Sequence, residues 1–235
     1  MSLSVDVILT SYNRPELVLE AMKSVKAQTY PYWICWVMDD GSNKQTQDII
    51  QSLANTDDRF QPIFLVVPAE ERYTQTRYAV AINEALKRSS GDLITYLTDD
   101  DIFYPERLKY MAAAFEDSSV YVVYGEQRVV AWDEYHNVQG AWIRRNVGRT
   151  REPVCRVDHN SIMHRRSCLQ QTGLWDTHPM HWGAGDAQFF RKLVEHYDFV
   201  PVAQVLDEHR LHANSLQSLM TRNTFFPVVT HEETS

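Results

Sequence analysis

The sequence predicts an α/β fold of Rossmann-like type: a mostly parallel sheet with helices on both faces, continued by a smaller mixed half. Three observations predict it. Over residues 1–125, short apolar runs alternate with amphipathic helical stretches, the pattern of successive βαβ units. Each apolar run ends in a polar, mostly acidic cluster. Beyond Gly125 the alternation stops, and short strands are separated by polar and aromatic segments carrying Trp132, Trp142, Trp175 and Trp182. The chain thus reads as two halves, 1–125 and 126–235, within a single compact domain.

The elements follow in order. Val5 to Thr10 reads as a buried strand. Pro15 to Gln28 is a helix with Leu17, Ala21, Met22 and Val25 on one face. Ile34 to Met38 is a second strand. Ser42 and Gln45 have the spacing of a capping box, opening a helix that carries Ile49, Ile50 and Leu53. A third strand is expected at Ile63 to Val67, a helix at Thr74 to Arg88 stopped near Gly91, and a fourth strand at Leu93 to Leu97. Pro105 is expected to open the next helix, since proline suits the first helical turn. In the second half the pattern predicts strands at Val120 to Tyr124 and Gln127 to Trp132. A helix at Asp186 to His196 and a strand at Phe199 to Val205 complete it, with mobile loops and a C-terminal tail without periodicity.

Composition narrows the function classes. An apolar share of 44% over 235 residues supports a sizeable core. The formal net charge of −8 disfavours nucleic acid as a partner. Cys35, Cys155 and Cys168 form no metal or redox spacing and read as reduced, buried thiols. The N-terminus has no basic segment followed by an apolar run, and Tyr32 to Met38 is too short to span a bilayer. A cytoplasmic protein is expected, with membrane contact at most peripheral.

In parallel sheets, ligands bind beyond the carboxyl ends of the strands. Those ends here carry Thr10-Ser11-Tyr12-Asn13-Arg14, Asp39-Asp40-Gly41-Ser42 and Thr98-Asp99-Asp100-Asp101. Three adjacent carboxylates repel one another unless a cation balances them, and hard oxygens suit Mn²⁺ or Mg²⁺. The alternative is a solvated acidic turn with Asp101 capping the following helix. A carboxylate at Asp39-Asp40 can accept the N3–H of a pyrimidine, though an ordinary Asp-Gly turn explains the segment equally. Tyr12 can stack on a base, and Arg72 and Arg77 suit phosphate or base carbonyls. Asp186 follows Gly183-Ala184-Gly185 and is either a helix N-cap or a general base. Asp158-His159 is a second acid–base pair, and His209, His212 and Asn214 can supply a metal with a further ligand.

Together and in this order, these motifs resemble the inverting family 2 glycosyltransferases of GT-A fold, and within them the spore-coat polysaccharide branch. The carrying stretches are Thr10-Ser11-Tyr12-Asn13, Ala27-Gln28-Thr29-Tyr30, Asp39-Asp40-Gly41-Ser42, Thr76-Arg77-Tyr78-Ala79 and Ile94-Thr95-Tyr96-Leu97-Thr98-Asp99-Asp100. Asp158-His159-Asn160-Ser161-Ile162-Met163-His164-Arg165 and Gly185-Asp186-Ala187-Gln188-Phe189-Phe190 extend the similarity to about Asp207.

The resemblance implies a metal-dependent transfer from a UDP- or dTDP-sugar to a hydroxyl of a glycan or other acceptor, with Mn²⁺ or Mg²⁺ as cofactor. It implies a nucleotide-sugar-binding half at 1–125 and an acceptor-binding half at 126–235. Thr10, Tyr12, Asp40 and Arg72 match residues that hold uracil, with Arg14 and Arg77 beside them. Asp99 matches a ribose or diphosphate neighbour, Asp100 the principal metal ligand with Asp101 next to it, and Asp186 the catalytic base. Asp158 and His159 fall to the acceptor. Many members carry Asp where this chain has Thr98, which leaves the division of work among Asp99, Asp100 and Asp101 open. A sugar-nucleotide pyrophosphorylase is disfavoured because Thr10 to Arg14 holds no glycine. A non-catalytic nucleotide-sugar-binding domain differs from the enzyme only at Asp186 and in turnover.

Overall fold

The structure is a computed structural model that describes residues 2–212; the tail, including Asn214, lies outside the described residues. In chain order the elements are β1 (Val5–Ser11), α1 (Pro15–Lys26), β2 (Trp33–Asp39), α2 (Lys44–Ala54), β3 (Phe60–Phe64), α3 (Arg77–Arg88), β4 (Leu93–Thr98), β5 (Ile102–Phe103) and α4 (Arg107–Ala113). They continue with β6 (Val122–Trp132), β7 (Val138–Arg144), β8 (Ile162–Arg165), α5 (Leu169–Thr172), α6 (Gly185–Val194) and β9 (Phe199–Leu211).

One sheet contains every described strand, in the order β3-β2-β1-β4-β8-β6-β9-β5, with β7 added against β6. The first four strands are parallel, β8 runs antiparallel to β4 and β6, and β6 pairs parallel with β9. The α/β architecture and its mostly parallel first half therefore match the sequence pattern.

Alternation along the strands divides the core in two. Val7, Leu9, Cys35 and Val37 face α1 and α2, where Val18, Met22, Val25 and Ile50 are fully buried. Ile8, Met38, Ile94 and Tyr96 face the other way, onto Ala79, Ile82 and Ala85 of α3 and Phe189 and Phe190 of α6. Burying a side chain of this size contributes about 1.5–3 kcal/mol. Pro15 stands at the first position of α1 as expected.

Several expectations are corrected. Asn43, not Ser42, caps α2: its side chain accepts from Thr46 N at 3.0 Å, while Ser42 Oγ accepts from Asn13 N at 2.9 Å. β3 starts at Phe60, three residues early, and contains Pro62; as an edge strand it tolerates a residue that cannot donate. α3 starts at Arg77 after a single turn of 3₁₀ helix at Ala69–Glu71. Pro105 precedes α4, whose N-cap is Glu106, and β5 intervenes. Val120 to Trp132 is not two strands. The register against β9 shifts at Gly125/Glu126 but β6 runs on through it, and a Cβ at 125 would press on Leu206 at 3.1 Å. β9 continues six residues past Val205, and β5, β7, β8 and α5 were not anticipated. Cys35 and Cys168 are buried, whereas Cys155 is exposed.

Candidate functional site

Register brings the first three polar clusters abreast. Thr10 lies opposite Met38 on one side and Thr98 on the other, and Ser11 lies opposite Asp39. The chain leaves all three strands at one level. Two backbone bonds tie the exits: Asp40 N donates to Ser11 O at 2.9 Å and Asp99 N to Thr10 O at 3.1 Å. Asn13, with φ of 53°, accepts from Asn43 N at 2.7 Å, which fastens the first loop to the second.

The two adjacent aspartates after β2 differ. Asp39 is fully buried and holds its own turn, accepting from Ser42 N and Gln47 Nε2. Asp40 faces the rim. Arg77 approaches it through Nη2 at 2.6 Å and Nε at 3.1 Å, and Arg72 donates Nη1 to its other oxygen at 3.0 Å and Nη2 to its carbonyl at 2.6 Å. The Arg72 guanidinium also stacks on the Tyr12 ring, 3.8 Å from its centroid. Gly41, at φ of 76°, is needed there, since a Cβ would meet Arg72 Nη2 at 3.3 Å. Tyr12, Asp40, Arg72 and Arg77 thus form one patch, with Tyr12 41% exposed, and Thr10, on β1, lies two residues before Tyr12.

The three carboxylates after β4 are all buried and separately engaged. Asp99 accepts from Tyr12 N at 3.0 Å and Arg14 Nη1 at 2.9 Å. Arg14 Nη1 also reaches Asp100 Oδ2 at 2.7 Å, and His212 Nε2 lies 3.0 Å from the same oxygen. Burial pushes Asp99 up to about 6, with Arg14 opposing it. Burial would raise Asp100 too, but His212 and Arg14 outweigh it and hold this carboxyl below its ordinary value. Asp101 does not cap α4. It accepts from Asn160 Nδ2 at 2.5 Å and Arg210 N at 2.8 Å, and His209 Nδ1 lies 2.9 Å away. Burial would lower the His209 pKa, but the Asp101 carboxylate prevails and lifts it to about 10. Asp101, Asp158 and His209 also form a group whose ligand atoms lie within 4.8 Å of one another.

Asp186 stands on a separate element, in the first turn of α6. The N-cap of α6 is Ala184, without a side-chain cap bond, so Asp186 is not the cap; its Oδ1 accepts from Ala187 N at 2.7 Å. An N-terminal position favours the ionised form, yet burial is stronger and raises the Asp186 pKa, with His159 lowering it and Asp158 raising it. Gly185 lets the helix start close to Tyr78, whose hydroxyl accepts from Gly185 N at 3.0 Å; a Cβ at 185 would sit 2.3 Å from that oxygen. Asp158 caps a single 3₁₀ turn, accepting from Asn160 N at 2.9 Å, and Arg144 Nη1 comes within 3.7 Å of it. His159 packs edge-on against Trp175.

The structure also recruits residues the sequence did not single out. Asn160 bridges Thr98 Oγ1 at 2.8 Å and Asp101, and the fully buried Arg107 donates to Asn160 O and Asp207. Polar atoms flanking a motif were the only available signal for Asn160. Nothing local marks Arg107.

An α/β sheet with the Tyr12, Asp40, Arg72 and Arg77 patch and an acidic cluster on one carboxyl rim has the architecture of GT-A type. Solved structures share that fold. TarS of S. aureus (residues 1–349, in complex with UDP) superimposes with a TM-score of 0.72 at 18% identity, over 90% of this chain and 61% of that one. The mannosyltransferase PcManGT of Pyrobaculum calidifontis, in complex with GDP-Man and Mn²⁺, gives 0.62 at 19% identity over 89% and 57%. In sequence, CgeD of Bacillus subtilis (strain 168) is 38% identical over 213 residues, 88% of this chain and 50% of CgeD. The model of Glycosyl transferase family 2 matches residues 6–175, and the chain belongs to that family. It spans about half the length of CgeD. Among the described residues no helix is long and apolar enough to cross a membrane.

Proposed function

We propose that the chain transfers a sugar from a UDP- or dTDP-sugar to an acceptor hydroxyl with inversion, assisted by Mn²⁺ or Mg²⁺. The observation that carries this reading is the pairing of two unlike acidic sites: Asp99 and Asp100 on the strand rim, and Asp186 on a separate element with a raised pKa. The complex of TarS with UDP supports a uridine donor.

Tyr12 offers its ring to the base, and Asp40 accepts the pyrimidine N3–H. The Asp40 oxygens are filled by Arg77 and Arg72, so Arg72 gives up its Nη1 bond as the base enters, while Arg77 keeps Asp40 oriented. Arg72, released, is free to meet a phosphate or a base carbonyl. Asp100 is the principal metal ligand, with Asp99 and His212 beside it. Their chemistry fits a hard divalent ion: two carboxylates and an imidazole, where the Arg14 guanidinium already lies across both carboxylates as counter-charge. When bound, the ion offsets negative charge on the leaving diphosphate. Asp101, with its donors in place, anchors β9 and so positions His212.

Asp186 takes the proton of the attacking hydroxyl. Its raised pKa makes it a stronger base than a solvated aspartate. The Asp158–His159 pair borders the acceptor, within the proposed acceptor half 126–235. A single base and a single displacement invert the anomeric centre.

The test is calorimetry of UDP, dTDP and GDP with and without Mn²⁺, followed by UDP release from a panel of UDP-sugars. UDP or dTDP is expected to bind about tenfold or more tightly than GDP, the worth of one unsatisfied buried polar group. Equal or tighter GDP binding, or affinity indifferent to Mn²⁺, refutes the donor reading. Tight binding without any turnover favours a non-catalytic binding domain.

A further inference from the structure

β7 is paired only to β6 among the described strands, and it carries a half-exposed tryptophan, Trp142, at 50% exposure. Its open indole offers a flat apolar surface on this strand. The sheet register says which way it faces. Trp142 lies opposite Val129, and Val129 lies opposite His209; Arg144 lies opposite Gln127, and Gln127 opposite Asp207. Side chains directly opposite one another share a face of the sheet, and residues two apart along a strand do as well. Trp142 and Arg144 therefore stand on the face that carries His209 and Asp207.

That face looks onto the proposed acceptor side. His209 meets Asp101 and Asp158 there. Arg144 reaches Gln127 Oε1 at 2.7 Å and comes within 3.7 Å of Asp158. Asp158 in turn is close enough to Asp186 to influence its carboxyl. The opposite face is accounted for independently by the Arg128–Glu208 pair and by Arg210 stacked on Trp132. Beside Trp142 the surface is open: Gly140, on the same face, would present a Cβ to nothing within 4 Å.

We propose that Trp142 is a saccharide subsite: its indole stacks on a pyranose ring of a glycan acceptor, outward of the unit that receives the new sugar. The inference deepens the glycosyltransferase reading and rests on it for the direction of the acceptor. The C–H-rich face of a pyranose complements the negative face of an indole. Two strand spacings, about 10 Å, separate Trp142 from the His209 strand. On this proposal a ring on Trp142 belongs to a unit outward of the one that reacts, and the acceptor is an oligosaccharide or longer chain. Arg144 positions the floor of the subsite through Gln127 and Asp158.

The experiment is ¹⁹F NMR of the full chain labelled with fluorotryptophan. The Trp142 signal is assigned, among six tryptophans, by its loss in Trp142→Phe. The probes are monosaccharides and unbranched oligosaccharides of glucose, galactose, rhamnose and N-acetylglucosamine. At least one oligosaccharide series is expected to move the Trp142 signal, with affinity increasing with length. Trp142→Ala should weaken that binding about two- to tenfold, and Trp142→Phe less, as a stacking contact requires. Affinity for UDP, measured by calorimetry on the same samples, should not change. A Trp142 signal unmoved by every probe, or equal oligosaccharide binding by the wild type and Trp142→Ala, overturns the proposal. Loss of UDP binding in the unsubstituted protein would instead sink the donor reading, and the two failures are told apart.

Discussion

Replacing Asp186 by Asn separates catalysis from architecture at one atom. The side chain sits at the second residue of α6, where Oδ1 accepts from Ala187 N at 2.7 Å. Asn has nearly the same shape and keeps an oxygen acceptor for that bond, so little local structure is lost. What disappears is the charge and the ability to take a proton. A positioned general base contributes about 10²–10⁴ in rate, or about 3–5 kcal/mol in the barrier.

Stability should move the other way. Burial raises the Asp186 pKa in the folded protein. The fold therefore prefers the protonated acid, and that contribution to stability is full below the unfolded-state pKa and is lost as pH rises through the folded one. At neutral pH the ionised carboxylate is a liability, and Asp186→Asn should melt no lower than the wild type. The assay is initial-rate UDP release with the donor that supports turnover, alongside calorimetry of UDP and thermal melting. The acid limb of the wild-type rate profile should lie above the ordinary aspartate range. Near-normal turnover in Asp186→Asn refutes the base assignment and turns attention to Asp158. A fall in activity matched by a fall in melting temperature would mean that the residue is structural.

Other consequences follow from the same geometry. Asp100→Ala should abolish Mn²⁺-enhanced UDP binding with the fold intact, read by calorimetry and circular dichroism; unchanged enhancement contradicts the assignment. Gly185→Ala places a methyl 2.3 Å from the Tyr78 hydroxyl, and it should cost about 1–3 kcal/mol by denaturant titration as well as activity. Tyr78→Phe in the same chain should recover part of that loss, because the offending atom is gone. His164 is fully buried beside the Tyr96 hydroxyl, and burial lowers its pKa to about 4. Its contribution to stability is complete above about pH 6.5 and is lost as pH falls toward 4, amounting to about 2 kcal/mol between pH 7 and 5. His164→Gln should be less stable at pH 7 but should flatten that part of the profile; an unchanged slope in urea titrations rejects the account.

The sequence by itself determined the alternation of strands and helices and the acidic rim, because both are local. Period-two and period-3.6 patterns name the element, and in a parallel sheet the residue after a strand lies at the carboxyl edge whatever the neighbours do. Thr10, Asp40 and Asp99 could therefore be placed together before any coordinates. The tertiary structure decided the rest. Asp207-Glu208-His209-Arg210 does not look like a strand, since four consecutive polar or charged residues have no apolar face. It is part of β9 only because Arg107, Arg128, Asp101 and Glu20, from distant parts of the chain, supply partners that make its burial affordable. The same contacts carry His212 to Asp100, across 112 residues of sequence. The raised pKa of Asp186 was likewise out of reach. A helix start argues for a lowered pKa, and only the packing around α6 establishes that desolvation outweighs the helix and raises it.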